Sequence, residues 1–479
     1  MTSGDEGYLL TGARNQAAVE VNFPISTQSV CPECLGAIPA SIIRRDGSIV
    51  MEKDCPSHGH FAALISSDAG MYIASLPYNK PGTAPLAYST KEEKGCPWDC
   101  GICPEHKQHT CLALIEVNSD CDLGCPTCFA ESQAGFRLSL SQVERMLDRF
   151  TELEAEPGVI QFSGGEPTLH PDIIAMLKLA KRKNIGMVML NSNGLRIAGD
   201  DRFLAELANV RPTIYLQFDG FRPETYTALR GRDLLDIKLK ALDRLAKARM
   251  DVVLVPAIDK AINHDEIGEI VKFGLKHPAV CGIAFQPITH AGRHGDFDPL
   301  NRETIADVVH AIAKQTGGIF TESDFVPVPC CHPTCRYASY AYIDRPRGVV
   351  TPLPRVIAVD KYLNYITNRT IPEINPEVLK ALEGMWSASS VPGSKKLADR
   401  FRCAVCQPLF PSQASYLKKH IFTIVIQDFA DAYTMDLNNI KKCCIGELIP
   451  DGRVIPFCAY NSLGYREKVR AALSRGEMK

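Results

Sequence analysis

Short apolar runs alternate with amphipathic stretches through the middle of this chain. Runs at 112–117, 159–162, 187–190, 213–218, 252–258 and 283–287 are too short for ordinary helices and are bounded by turn residues, so they read as strands. Stretches at 139–154, 171–183, 201–208, 233–249 and 263–276 repeat apolar residues at helical spacing, the first with Ser139 placed as an N-cap. Helical pattern resumes at 301–314. Strand and helix alternating on this spacing predict an α/β fold, with a parallel sheet joined by right-handed crossovers.

The flanking regions break that rhythm. Residues 1–110 are loop-rich, with strand-like pieces at 41–44 and 48–51 around the turn Asp46-Gly47. Too little continuous apolar sequence exists there for a sizeable core, so bound metal is expected to hold this part together. Beyond the repeated units, Pro327, Pro329, Pro333, Pro346, Pro352 and Pro354 mark irregular connections, followed by a helical stretch at 376–385. Three regions are therefore expected: a cysteine-rich N-terminal metal module at 1–110, a core at 111–320 and a cysteine-bearing C-terminal region at 321–479.

Composition narrows the chemistry. Fifty-three basic and 55 acidic residues give a net charge of −2, which offers no electrostatic support for a nucleic-acid partner. The N-terminal string Met1-Thr-Ser-Gly-Asp-Glu-Gly lacks the basic stretch and apolar core of a secretory signal. No apolar run approaches 18 residues, so a cytoplasmic protein is expected, with peripheral membrane contact left open. Nineteen cysteines in CxxC and CxxxC spacings then read as metal sites rather than as a disulfide framework.

Four cysteine groups can be separated. Cys121, Cys125 and Cys128 follow the first core strand as CxxxCxxC, one thiolate short of the usual four for a [4Fe-4S] cluster. A zinc knuckle would normally pair two CxxC arms and close the tetrahedron, which this string does not do. Cys31 and Cys34 form a CxxC arm, and Cys55 and His58 a CxxH arm, together sufficient for a mononuclear iron or zinc ion. The alternative is that His58 caps a turn and another cysteine completes the set.

Cys96, Cys100 and Cys103 repeat the CxxxCxxC spacing, with Cys111 as the expected fourth ligand of an auxiliary cluster. Cys111 precedes the first core strand and Cys121 follows it, so the two lie about 20 Å apart at about 3.3 Å per residue. A cluster on Cys111 is thus expected to pass electrons or clip the fold rather than to bind substrate. The last group is Cys330, Cys331, Cys335, Cys403, Cys406, Cys443, Cys444 and Cys458. Adjacent pairs such as Cys330-Cys331 fit one cluster awkwardly, so a single C-terminal cluster is expected.

Ligand sites of parallel α/β sheets lie at the carboxyl ends of the strands. The second loop there reads Ser163-Gly164-Gly165-Glu166-Pro167-Thr168, in which paired glycines permit close approach of backbone. Asn191-Ser192-Asn193-Gly194 follows the third strand and Gln217-Phe218-Asp219-Gly220 the fourth. Each string can hydrogen-bond a ligand or merely cap its turn.

CxxxCxxC after a strand, with GGE one unit later, resembles the radical S-adenosylmethionine (SAM) superfamily. The resemblance implies a partial (β/α)6 barrel whose Cys121, Cys125 and Cys128 hold a [4Fe-4S] cluster, with SAM on the open iron. SAM would be cleaved there to a 5'-deoxyadenosyl radical, with electrons from a donor such as ferredoxin or flavodoxin. Gly164, Gly165 and Glu166 are then expected at the SAM amino group, with Asn191, Asn193, Gln217 and Asp219 as further SAM or substrate contacts. Phe129 would contact adenine or pack beneath the cluster.

The order CPEC, CPSHG, GCPWDCGICPEH, CDLGCPTCFAES, GGEPTLHP, PCCHPTC and DGRVIPFCAYN extends the resemblance from about 31 to 465. It is similar to the group containing tetraether lipid synthase and pterin C-methylases of the 7,8-dihydro-6-hydroxymethylpterin dimethyltransferase type. The reading favoured on sequence is carbon–carbon coupling of lipid chains, with a C-terminal auxiliary [4Fe-4S] cluster on Cys331, Cys335, Cys444 and Cys458 capturing the first radical. Radical methylation of a methanopterin-type pterin is the alternative. No DxHxxG cobalamin string occurs, since Asn263-His264-Asp-Glu-Ile-Gly268 does not meet it, so methyl transfer would need another carrier. Peptide maturation is weaker still, because its cysteine spacing is missing. An electron-transfer iron–sulfur protein is the non-enzyme alternative, and GGEPTLHP argues against it.

Overall fold

A computed structural model describes residues 21–132, 135–154, 157–355 and 420–478. Cys403, Cys406 and the helical stretch at 376–385 lie outside the described residues. The chain opens with an antiparallel four-stranded sheet in sequence order: β1 (Ile25–Val30), β2 (Ala37–Arg45), β3 (Ser48–Cys55) and β4 (Gly59–Ser66). Asp46 and Gly47 join β2 to β3 with φ of 46° and 83°, the backbone that a two-residue hairpin turn demands. Ala40, Ile42, Ile49 and Met51 pack on one face against Ala69 and Tyr72 of α1 (Ala69–Ser75). The strands run longer than the two short pieces that the sequence suggested, but their shared core is small.

The core is a parallel sheet with crossover helices. It comprises β5 (Leu112–Asn118), α2 (Leu140–Leu153), β6 (Val159–Gly164), α3 (Ile173–Arg182), β7 (Met187–Ser192), α4 (Leu195–Gly199), α5 (Asp201–Val210) and β8 (Thr213–Gln217). There follow α6 (Pro223–Arg230), α7 (Leu235–Lys247), β9 (Val252–Val255), β10 (Ala257–Ile258), α8 (Ile267–Lys276), β11 (Val280–Pro287) and α9 (Ile305–Gln315). Ser139 caps α2 through a capping box with Gln142. The run expected at 252–258 is split between β9 and β10 at Pro256, which cannot donate to a ladder.

Alternation decides what the strands present. Ile160, Phe162, Val188, Leu190, Ile214, Leu216, Leu254 and Phe285 are buried in the main core shared with the helices. The intervening positions, among them Gln161, Ser163, Asn191, Tyr215 and Gln217, face the opposite, concave side. A partial (β/α)6 barrel with a polar interior results.

C-terminal residues extend this same sheet at both edges. On one side lie β12 (Val326–Pro327), β13 (Arg336–Asp344), β14 (Val349–Pro352) and β15 (Ile421–Gln427), with β15 parallel to β11. On the other side β16 (Ile445–Leu448) runs parallel to β5, and β17 (Val454–Pro456) antiparallel to β16. Two helices close the chain, Phe457–Ser462 and Tyr465–Ser474. Among the described residues no helix is long and apolar enough to cross a membrane.

Candidate functional site

The three-cysteine loop leaves the carboxyl end of β5 and is laced from several directions. Cys128 exchanges backbone hydrogen bonds with Arg293, N to O at 2.8 Å and O to N at 3.0 Å. Arg293 also donates through Nη1 to Cys125 O at 2.9 Å and through Nη2 to Ser132 O at 3.2 Å. Close approach there needs Gly292, at φ 66°, where a Cβ would fall 2.5 Å from Cys128 O. Cys121, Cys125 and Cys128 are half-buried. Burial pushes the Cys121 thiol up to about 12 and raises that of Cys125.

Gly164 and Gly165 bring their own loop into close contact with the first. A Cβ on Gly164 would meet Asn118 O at 2.2 Å, and one on Gly165 would meet Asp120 O at 2.1 Å. The glycines let the second loop bond directly to the first, with Gly165 N on Asn118 O at 2.9 Å and Glu166 N on Asp120 O at 2.7 Å. Glu166 is buried, with Oε1 accepting from Thr168 Oγ1 (2.6 Å) and Ser192 Oγ (2.9 Å), and Oε2 from Asn193 N (2.7 Å). Burial raises its carboxyl, and these donors pull it back down. Its side chain therefore joins the second loop to the third.

The remaining expected contacts continue the mesh. Asn193 Nδ2 donates to Asp122 Oδ1 within the cysteine loop at 2.6 Å, and Asn191 Nδ2 to Ser163 Oγ at 3.3 Å. Gln217 donates to Asp219 Oδ2 at 3.0 Å and accepts from Lys238 Nζ at 2.9 Å. Lys238 is fully buried, which lowers its pKa to about 8. Asp219 grips Arg230 through both oxygens at 2.7 and 2.8 Å. Phe129 stacks on Phe457 with centroids 5.4 Å apart and contacts Phe429 at 5.8 Å, so packing is the reading that the structure supports for this ring.

Arg230, Lys238, Arg293 and Arg466 were not singled out from the sequence. Arg466 donates to Glu116 on β5 at 2.7 Å and to Phe129 O at 2.9 Å. Each lies on a helix or loop where a cation reads as a solvated position. Only the tertiary fold turns them inward.

Cys31, Cys34, Cys55 and His58 converge with all ligand atoms within 4.8 Å of one another. His58 Nδ1 lies 3.4 Å from Cys55 Sγ and 3.6 Å from Cys31 Sγ, as a shared tetrahedral ion requires. Lys53 ties this module to the rest of the chain by donating to Ala432 O at 2.6 Å and Tyr433 O at 2.9 Å.

The other two groups need correction at Cys111. Cys96, Cys100 and Cys103 line one cavity with His106 and Lys441, whereas Cys111 lies with Cys330 and Cys444, their sulfurs within 4.8 Å. Strand pairing explains this. Because Ile445 of β16 pairs with Leu112 of β5, the residues preceding both strands meet, and Cys111 N bonds to Cys444 O at 2.9 Å. Cys330 Sγ is 3.6 Å from Cys444 Sγ, whereas Cys331 Sγ donates to Val328 O at 3.6 Å.

Of the adjacent pair Cys330 and Cys331, Cys330 is the one whose sulfur joins the compact set. The surrounding thiols and the buried Arg336 guanidinium hold the Cys330 thiol below its usual range. Of the four C-terminal ligands chosen from sequence, Cys444 belongs to this set, and Cys331 is buried in the cluster around it. Cys335 and Cys458 lie beside Cys443, with Cys458 Sγ accepting from Ala430 N at 3.4 Å. Three sulfur donors in one buried set fit a thiolate-bound iron or zinc centre. Their place at the amino end of β5, about 20 Å from the loop beyond its other end, removes the geometric reason for a radical-capturing role.

Residues 115–274 match the family model described as Radical SAM superfamily, and residues 23–67 that described as HMPTM N-terminal zinc ribbon domain. The 7,8-dihydro-6-hydroxymethylpterin dimethyltransferase of Methanocaldococcus jannaschii is 34% identical over 488 residues, covering 94% of this chain and 95% of that protein. The chain belongs to this radical SAM family. Membership brings a [4Fe-4S] cluster with SAM and makes the protein an enzyme of the C-methylating radical SAM type. A GTP 3',8-cyclase of Chlorobaculum tepidum is 32% identical over 214 residues, 42% of this chain and 63% of that protein. A crystal structure of Streptococcus suis SuiB overlaps 42% of this radical SAM chain and 45% of its own at a TM-score of 0.36 and 19% identity. Lipid coupling, the reading favoured on sequence, has no counterpart in these likenesses. The methylating alternative does.

Proposed function

We propose that this enzyme is a radical SAM C-methyltransferase acting on a reduced pterin of the 7,8-dihydro-6-hydroxymethylpterin class. One observation carries the reading: the likeness to the pterin dimethyltransferase runs through 94% of the chain, metal module and C-terminal strands included, rather than through the barrel alone. Cys121, Cys125 and Cys128 would hold the SAM cluster. With SAM bound, that cluster supplies a primary carbon radical able to take hydrogen from an unactivated carbon.

The protein's own part is positioning. Gly164 and Gly165 bring the second loop onto the first, while Glu166 fixes Ser192 and Asn193 of the third through both carboxylate oxygens. Asn191, Tyr215 and Gln217 leave donors and acceptors along the concave face, chemistry suited to the polar edge of a pteridine. Cys31, Cys34, Cys55 and His58 would bind the zinc or iron of the N-terminal module. Electrons would come from a ferredoxin- or flavodoxin-type donor.

The test is direct. Reconstituted protein, SAM, reductant and 7,8-dihydro-6-hydroxymethylpterin, supplied with cell extract as the methyl source, are expected to yield 5'-deoxyadenosine and pterin bearing added methyl groups by mass spectrometry. Abundant 5'-deoxyadenosine with unmodified pterin would overturn the substrate reading.

A further inference from the structure

Helix α6 ends directly on the three-cysteine loop. Its last residue is Arg230, and Gly231 follows at φ 83°, the left-handed backbone that ends a helix sharply. A Cβ on Gly231 would lie 3.5 Å from Pro126 Cδ and 3.6 Å from Gly124 O. The turn therefore rests on both neighbours of Cys125.

Arg230 has little freedom at this position. Its Nε and Nη2 donate to Asp219 at 2.8 and 2.7 Å, and that carboxylate is wholly buried and fixed further by Gln217 Nε2 at 3.0 Å and Ala257 N at 3.0 Å. The guanidinium also lies beside Cys125, each group in the other's field. Asp219 thus has no oxygen left over for a ligand. Its role is to aim Arg230.

We propose that Asp219 and Arg230 form a positioning pair that sets the reduction potential of the SAM cluster through the fixed positive charge they hold beside Cys125. The argument rests on Cys121, Cys125 and Cys128 being the ligands of that cluster. Reduction adds one electron, taken from a low-potential one-electron donor, and no proton. The reduced state carries one more negative charge, so a fixed cation beside a ligand sulfur stabilises it more than the oxidised state. Because the fork is prealigned, the protein need not reorganise when the electron arrives.

The experiment is a redox titration of the full-length reconstituted protein without SAM, following the electron paramagnetic resonance signal that changes when SAM is added. In Arg230→Met the reduced-to-oxidised ratio at fixed potential should fall about tenfold, equivalent to about 59 mV for a one-electron couple. Arg230→Lys, which keeps the charge but loses the fork, should recover part of the difference. An unchanged midpoint in Arg230→Met overturns the proposal. Where that variant does not assemble the cluster, Arg230→Gln decides, and a wild-type midpoint there overturns it equally. Cys125→Ala tests the ligand assignment separately: persistence of the SAM-responsive signal would sink that assignment, whereas its loss beside an unchanged Arg230→Met midpoint would sink only the tuning.

Discussion

The loop bearing Cys121, Cys125 and Cys128 and the set Cys111, Cys330 and Cys444 are built in opposite ways. The first takes all three thiols from eight consecutive residues, leaves them half-buried and imports its rigidity from outside: Arg293, Arg230, Asn193 and the backbone of Gly165 and Glu166. The second gathers thiols from three distant segments and needs little else, because pairing of β16 with β5 brings them together. A site written in a short string is easy to recognise, yet its function depends on scattered supports. A site assembled by topology is hard to recognise but supports itself.

That contrast can be broken by substitution. The largest effect is expected for Cys125→Ala, which should abolish 5'-deoxyadenosine formation outright, as measured by chromatography of SAM cleavage products. Gly165→Ala comes next: the new methyl would meet Asp120 O at 2.1 Å, so the first two loops must part, and SAM cleavage should fall on the order of 100-fold. Wild-type cleavage in Gly165→Ala would show that the loop does not depend on its outside supports.

Cys330→Ala attacks the assembled set. It should lower bound metal and melting temperature while leaving dithionite-driven SAM cleavage within about threefold of wild type, since the set lies about 20 Å from the loop. Loss of cleavage would join the two sites functionally and collapse the comparison. Cys458→Ala, beside Cys443 and outside this set, should retain cleavage while losing methylated product, and retained product would remove that region from the mechanism.

The smallest effect concerns Lys238. Its folded pKa of about 8 lies below the unfolded value of 10.5, so the unfolded chain binds more protons between those limits and stability should rise with pH across that window. Lys238→Met should flatten this rise by on the order of 2 kcal/mol between pH 8 and pH 10, read from urea melts. Equal slopes in both proteins would show that Lys238 is not held in the buried state.

The same contrast explains what was legible in the sequence. The runs at 159–162 and 187–190 and the Ser139 cap were readable because strand periodicity and capping chemistry are local. Helix α6 was missed although Pro223 opens it and Gly231 closes it, because eight residues give a weak periodic signal. Cys111 was misassigned because the nearer string Cys96-Cys100-Cys103 lay next to it in sequence, while its true neighbours follow by more than 200 residues. Asp219 could be selected from its place after a strand, but nothing local reveals that Arg230 bonds to both its oxygens.

The pairing of β5 with β16 also fixes an order of events during synthesis. Strand β5 is the first of the core to leave the ribosome, and its outer edge waits for a partner 333 residues later, from Leu112 to Ile445. At 5–20 residues per second that wait lasts roughly 17–67 s. Throughout it the nascent barrel carries an open strand edge, the feature that invites pairing with another chain. The three-cysteine loop is complete early, whereas the set on Cys111, Cys330 and Cys444 cannot exist until the last tenth of the chain arrives. A host that expresses this protein poorly should therefore yield aggregates retaining barrel secondary structure, and slower translation should worsen them.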